Sequence, residues 1–202
     1  DTAWRDGKAT DERWHLRRDG SRFWGSGTMT ALHYADDSLR GFLKVFRDAT
    51  EKRRETETLA FLRDLTDAVI GLRQPGAILG VAQKMLGEHL QATGCVYYEL
   101  GTDGEMLTII RDWASGLPSI TGTYPVDTFG SLVASAIREG RLLTVHEVAG
   151  EIPSNAGGRV LEKLGIRALV CAPLSRAGRV VAGVAVNSSV PREWAAHEIE
   201  LV

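Results

Sequence analysis

Between Asp48 and Leu72 runs a stretch with no proline and a single glycine, Gly71. Thr58, Leu62, Leu65, Val69 and Leu72 recur at spacings of four and three, the seam of a heptad repeat. Helical throughout, these roughly 25 residues would span on the order of 37 Å at 1.5 Å per residue. Strand patterns precede the stretch and a mixed helix-and-strand pattern comes after it. It therefore reads either as a connector helix or as the ordinary first helix of the C-terminal domain. The Lys52-Arg-Arg54 cluster, flanked by Glu51 and Glu55, is a solvated helix face.

A chain of 202 residues allows one or two domains. With 44% apolar and 25% charged residues and a net charge of −2, nothing points to nucleic acid or an anionic membrane as partner. No run of 18 apolar residues occurs, and Asp-Thr-Ala-Trp-Arg-Asp-Gly at the start is not a signal peptide. The expected location is cytoplasmic. Cys95 and Cys171 are too few and too far apart for a zinc site or a disulfide framework. Both fall in apolar runs, which predicts buried, reduced thiols. Both ends of the chain read as cuts, since it stops at Glu198-Ile-Glu-Leu-Val202 inside an apparent helix without a cap.

Residues 11–47 read as three antiparallel strands. Asp19-Gly20 marks the first turn and Ala35-Asp-Asp-Ser38 the second. Gly25 and Gly27 suggest a nucleotide loop only superficially: the Gly-x-Gly-x-x-Gly pattern fails at Thr30, and both lie inside a strand pattern. Three strands make too small a core to stand alone. The runs Trp14-His-Leu-Arg-Arg-Asp-Gly-Ser-Arg-Phe-Trp24 and Gly41 to Arg54, with Asp48 and Thr50 in an Asp-x-Thr motif, resemble the C-terminal half of a PAS sensor domain. The resemblance implies a signalling helix after the third strand. A flavin-binding member would carry a glutamine late in the last strand, where this chain has Val45, Phe46 and Arg47, so any PAS ligand is unknown.

Gln74-Pro75-Gly76 breaks the long helix. A second helix comes next, with Ile78, Leu79, Ala82, Met85, Leu86 and Leu90 on one face, ending near Gly94. Strands are expected at 95–100, 106–113, 142–146, 166–174 and 180–186. A long loop spans 114–126, Asp127 caps a helix running from Phe129 to Glu139, and a polar loop from Gly150 to Gly158 precedes a short helix, Arg159 to Leu164. A last helix starts near Trp194. This order is α+β with an antiparallel sheet. Arg111-Asp-Trp113, Gly140-Arg-Leu-Leu-Thr-Val, Leu164 to Leu174 and Pro191-Arg-Glu-Trp194 resemble a GAF domain, the frequent companion of PAS in bacterial sensors. The expected division is a C-terminal part of a PAS domain at 1–49, a helical linker at 50–58 and a GAF domain at 59–202.

Catalytic and metal signatures are missing from the sequence. His146-Glu147 and His197-Glu198 each lack the second histidine of a zinc helix, and neither a nucleophile elbow nor a phosphate loop is found. Bilin attachment in some GAF domains needs a cysteine beside a histidine, and Asp127 to Gly140 has neither; the Asn-Lys-x-x-Asp signature of cyclic-nucleotide-binding members is also lacking. The cofactor is thus unknown. Tyr98, Trp113, Tyr124, Phe129 and His146 are the candidates to line a small-molecule pocket, although aromatic side chains equally serve a sheet–helix core. The resemblance implies the input region of a cytoplasmic PAS–GAF histidine kinase, dimerising through the connector. The alternative is a dimerisation module without ligand in a diguanylate cyclase, phosphodiesterase or other regulator. An enzymatic GAF of the methionine sulfoxide reductase type needs thiolates, which apolar strands disfavour.

Overall fold

A computed structural model describes residues 2–153 and 156–202. It divides into two compact units, residues 1–60 and 61–202. Helices and antiparallel sheets make up both.

In the first unit a short helix α1 (Thr2–Asp6) precedes a meander of β1 (Lys8–Leu16), β2 (Arg22–His33) and β3 (Leu39–Asp48), in the order β1-β2-β3. The two turns use the same chemistry. Asp19 Oδ1 accepts from the Ser21 amide and hydroxyl at 2.9 and 2.6 Å, and Asp36 Oδ1 accepts from the same groups of Ser38 at 3.1 and 2.6 Å. On one face the rings of His15, Phe23 and Phe46 gather in a triangle, with His15 5.4 Å from each phenylalanine and the two phenylalanines 5.9 Å apart. On the other, Trp14 meets Trp24 edge-on and Arg53 lies 3.9 Å over the Trp24 ring.

Helix α2 spans Thr50–Val69, shorter at both ends than the sequence pattern suggested. Its start is fixed by Asp48, whose Oδ1 accepts from the Thr50 amide and hydroxyl at 2.9 and 2.5 Å. Thr50 Oγ1 in turn accepts from the Trp24 amide at 2.8 Å, and Arg17 pairs with Asp48. The strand end and helix start are thereby joined within the unit. Of the expected seam, Thr58, Leu65, Val69 and Leu72 are half-buried and Leu62 is exposed, whereas Phe61, outside that seam, is buried and stacks on His89 at 4.2 Å.

The second unit holds α3 (Pro75–His89), β4 (Gly94–Leu100), β5 (Met106–Ala114), β6 (Gly122–Pro125), α4 (Ser131–Glu139), β7 (Leu143–Val145), α5 (Val148–Glu151), α6 (Ala156–Lys163), β8 (Ala168–Arg176), β9 (Arg179–Ser188) and α7 (Ala196–Ile199). Its six strands run in the order β6-β5-β4-β9-β8-β7, and every pair is antiparallel. Three local expectations need correction. The 114–126 loop contains edge strand β6, which tolerates Pro125 at its end because an edge residue need not donate to a ladder. Asp127 does not cap a helix: it sits in a 3-10 turn, Val126–Phe129, and pairs with Arg138 at 2.8 Å. Gly130, at φ 100°, separates that turn from α4. The predicted 150–158 loop is crossed by α5 and the start of α6; Ser154 and Asn155 of it lie outside the described residues.

Helix α3 covers one face of this sheet at close range. A Cβ on Gly87 would come within 2.2 Å of the Trp113 ring, and one on Gly80 within 2.7 Å of the Arg111 guanidinium, so these two glycines set the helix–sheet distance. Gln83, 3% exposed, donates to the carbonyls of Arg111 and Cys95 at 2.7 and 3.2 Å, beside a bulge in the β4–β5 ladder. The opposite face carries the larger core, roofed by the 3-10 turn, α4 and α6.

Candidate functional site

Strand alternation assigns the side chains. On β9, Ala185 and Asn187 face the larger core, while Val184 and Val186 face α3. On β4, Val96 and Tyr98 face the core and Cys95 faces α3. Between the sheet and its roof lies a cavity of about 50 Å³. Val96, Tyr98, Ile109, Phe129, Cys171 and Asn187 are among its walls, and none of its lining residues is charged.

The polar atoms here are few and neutral. Tyr98 Oη lies 3.6 Å from Cys171 Sγ, both deeply buried. Gly183 makes room for that hydroxyl, since a Cβ there would approach within 2.2 Å of it. Burial pushes the Tyr98 hydroxyl well up and the Cys171 thiol to about 11. Cys95, on the far face, is pushed to about 12 by burial alone. Neither thiol is a thiolate near neutral pH, so neither is placed for nucleophilic or redox chemistry.

A second cluster ties down the C-terminal segment. The Arg192 amide donates to the His146 carbonyl at 3.0 Å, the Trp194 amide to His146 Nδ1 at 3.2 Å, and the Trp194 indole to the Val145 carbonyl at 3.2 Å. Arg192 donates to the Leu90 carbonyl at 2.6 Å, pairs with Glu198, and lies 4.3 Å over the Trp194 ring. Elsewhere a wider groove of about 340 Å³ lies between the 101–105 and 175–180 turns, where Arg138 pairs with Asp127 and Glu105. Among the described residues no three His, Cys, Asp or Glu side chains gather to hold a metal ion. No described helix is long and apolar enough to cross a membrane.

Residues 74–202, well over half the sequence, match the GAF domain family. The chain belongs to the GAF domain family. Solved structures agree on the fold. The phycocyanobilin-bound GAF domain of a cyanobacterial phytochrome superposes with a TM-score of 0.58 at 17% identity, covering 70% of this chain and 85% of that one. The GAF domain of a phosphoenolpyruvate-protein phosphotransferase from Coxiella burnetii gives 0.58 at 14% identity, covering 72% and 86%. The chromophore-binding domain of a bacteriophytochrome from R. palustris gives 0.61 at 12% identity, covering 95% of this chain and 69% of that one. At these identities the likeness is one of fold. Among curated proteins, the Two-component system protein A of Emericella nidulans is 46% identical over 57 residues, which is 28% of this chain but 8% of that protein.

Within the GAF domain the five candidate residues part company. Tyr98 and Phe129 line the cavity, and Tyr124 packs edge-on against Phe129 at 5.5 Å. Trp113 is on the opposite face, against Gly87 of α3. His146 belongs to the C-terminal cluster. The reason for Trp113 is the bulge: Tyr98 pairs with Ile109 but Tyr97 with Arg111, so Ile110 is extra and every residue after it changes face. Asn187, in the cavity wall, was missed. Its signal was the alternation Gly183, Ala185, Asn187 in an otherwise apolar strand.

Proposed function

We propose that the chain is the signal-input region of a two-component signalling protein, a cytoplasmic bacterial histidine kinase of PAS–GAF type, in which the state of the GAF domain is relayed through α2. The observation that carries this reading is the short match to a two-component protein, 46% identical over 57 residues, in a chain of the GAF family. The meander of residues 8–48, closed by the Asp48–Thr50 joint, supports a PAS remnant at 1–49, a linker at 50–58 and a GAF domain at 59–202. In the GAF domain Tyr98 and Phe129 are the ligand-contact residues, with Tyr124 behind them. Trp113 and His146 lie outside that role.

On α2 the seam residue Leu62 and its neighbour Leu59 are exposed, which supports a homodimer seam. A cavity of only about 50 Å³ favours a second reading, a dimerisation module without ligand in a diguanylate cyclase, phosphodiesterase or other regulator. The parent protein incubated with ATP tests the first. It should acquire acid-labile, base-stable phosphate on histidine. Deleting four residues from α2 should change that output more than deleting seven, because seven preserve the heptad phase. A parent that never phosphorylates itself, or two deletions with equal output, would overturn it.

A further inference from the structure

One ring nitrogen in the C-terminal cluster has two partners that it cannot serve together. His146 Nδ1 lies 3.2 Å from the Trp194 amide and 3.2 Å from the Arg192 carbonyl. The first contact needs a lone pair on Nδ1 and the second needs a proton there, so any one state of the ring makes one bond and leaves the other unmade. The Glu193 carboxylate stands 3.7 Å from the same nitrogen. The two partners differ in what they can do without. Trp194 is 5% exposed, so its amide has little water to turn to, and an orphaned buried N–H is rarer than an under-satisfied carbonyl. The neutral ring therefore keeps its proton on Nε2 and accepts from Trp194.

We infer that His146 is a proton-operated latch on the C-terminal segment: a proton taken up at Nδ1 breaks the bond from the Trp194 amide, makes one to the Arg192 carbonyl, and loosens residues 194–199. The proton comes from solvent, since the His146 side chain is 38% exposed. Histidine is the side chain whose charge ordinarily changes between about pH 5 and pH 8. The charged groups around the ring come from three directions. Glu147 and Glu151 lie on the turn into α5, where Glu151 accepts from the His146 and Glu147 amides at 2.7 Å each. Arg167, just before β8, pairs with Glu147 at 3.3 Å. On the C-terminal segment Arg192 pairs with Glu198. Each arginine is matched by a carboxylate, so the new charge arrives beside Glu193 rather than beside an unpaired cation. Trp194 leads directly into α7, whose start is held by the Ala195 amide donating to Glu198 at 2.9 Å, and loss of the Trp194 bond is thereby passed on to that helix. This proton input involves none of the walls of the apolar cavity and is independent of what fills it.

The test is NMR of the ¹⁵N-labelled whole chain. Long-range proton–nitrogen spectra of the histidine rings at about pH 8 should place the His146 proton on Nε2. As the pH is lowered to about 5, the Trp194 backbone amide should shift with the same midpoint as the His146 ring. Protection factors of residues 194–199, corrected for the intrinsic pH dependence of exchange, should fall about tenfold while β4 and β9 keep theirs. His146→Gln keeps a neutral acceptor and should abolish the pH response; His197→Gln, in the same segment, should leave it intact. A neutral ring protonated on Nδ1, a Trp194 amide that stays in place while the ring titrates, protection unchanged at about pH 5, a response that survives in His146→Gln, or one that disappears in His197→Gln would each overturn the inference. None of these outcomes bears on the cavity as an input site.

Discussion

Asp48 ends a strand and begins a helix with one carboxylate. Its bonds from the Thr50 hydroxyl and amide, followed by the Arg17 guanidinium, hold its pKa down at about 2, below the usual 3.8. A depressed carboxylate stabilises the fold above its unfolded pKa, and that contribution disappears as pH falls from about 4 towards 2. Urea titrations at pH 7 and pH 2.5 should therefore show a larger loss for the wild type than for Asp48→Asn, and equal losses would remove Asp48 from the account. Thr50→Val, which deletes both hydroxyl bonds, should cost about 1–2 kcal/mol. At Gly87 the constraint is distance: Gly87→Ala drives a methyl into the Trp113 ring, and a loss of about 1–3 kcal/mol is expected by thermal denaturation. An unchanged melting temperature would mean the helix slides freely over β5.

Elements differ in how much of themselves the sequence displays. The helix over Thr50–Val69 was legible from its heptad spacing, and β8 and β9 from their apolar runs. Strand β6 was hidden because Gly122 and Pro125 bound its four residues, and a strand that short has no period of its own. The face of Trp113 was hidden more deeply. A bulge is a property of two paired strands, so nothing within residues 106–114 announces that Ile110 will be extra. The cavity was half legible, through Tyr98 and Phe129, because large aromatic residues are easy to nominate; Asn187 needed the pairing of β9 with β4 before its side was known. The C-terminal cluster converges on Arg192, which contacts Leu90, Glu198 and Trp194 at once. Arg192→Ala should raise hydrogen exchange of residues 192–199 by about tenfold or more while β4 and β9 keep their protection. Protection unaltered in that segment would show that Trp194 alone holds it.

For the whole molecule the two units carry unequal cores. The second encloses a core that includes Val126, Val145 and Val148, all fully buried. In the first, Phe42, Leu43, Val45 and Phe46 of β3 are each close to half exposed or more. Little apolar area is withdrawn from water there, so residues 8–48 should lose their exchange protection at a lower temperature than β4, β8 and β9. A single transition at one temperature for both units would contradict that. The small size of the three-strand segment made a thin core legible in the sequence, but no pattern in β3 indicated which of its apolar residues would be left outside.

The sheet order of the second unit also has a consequence for its biosynthesis. Strands β4 and β9 are neighbours at the middle of the sheet, and Thr93 bonds Asn187 across 94 positions of chain. A ribosome delivers β4, β5 and β6 long before β9 exists, so the early hairpin must wait with its central edge unpaired. Local hairpins close in microseconds, whereas a loop of this length closes late and at greater entropic cost. During that interval the edge of β4, lined by Cys95, Val96 and Tyr98, is the surface a nascent chain most needs shielded, and translation stalled before residue 179 would release an open-edged, association-prone chain.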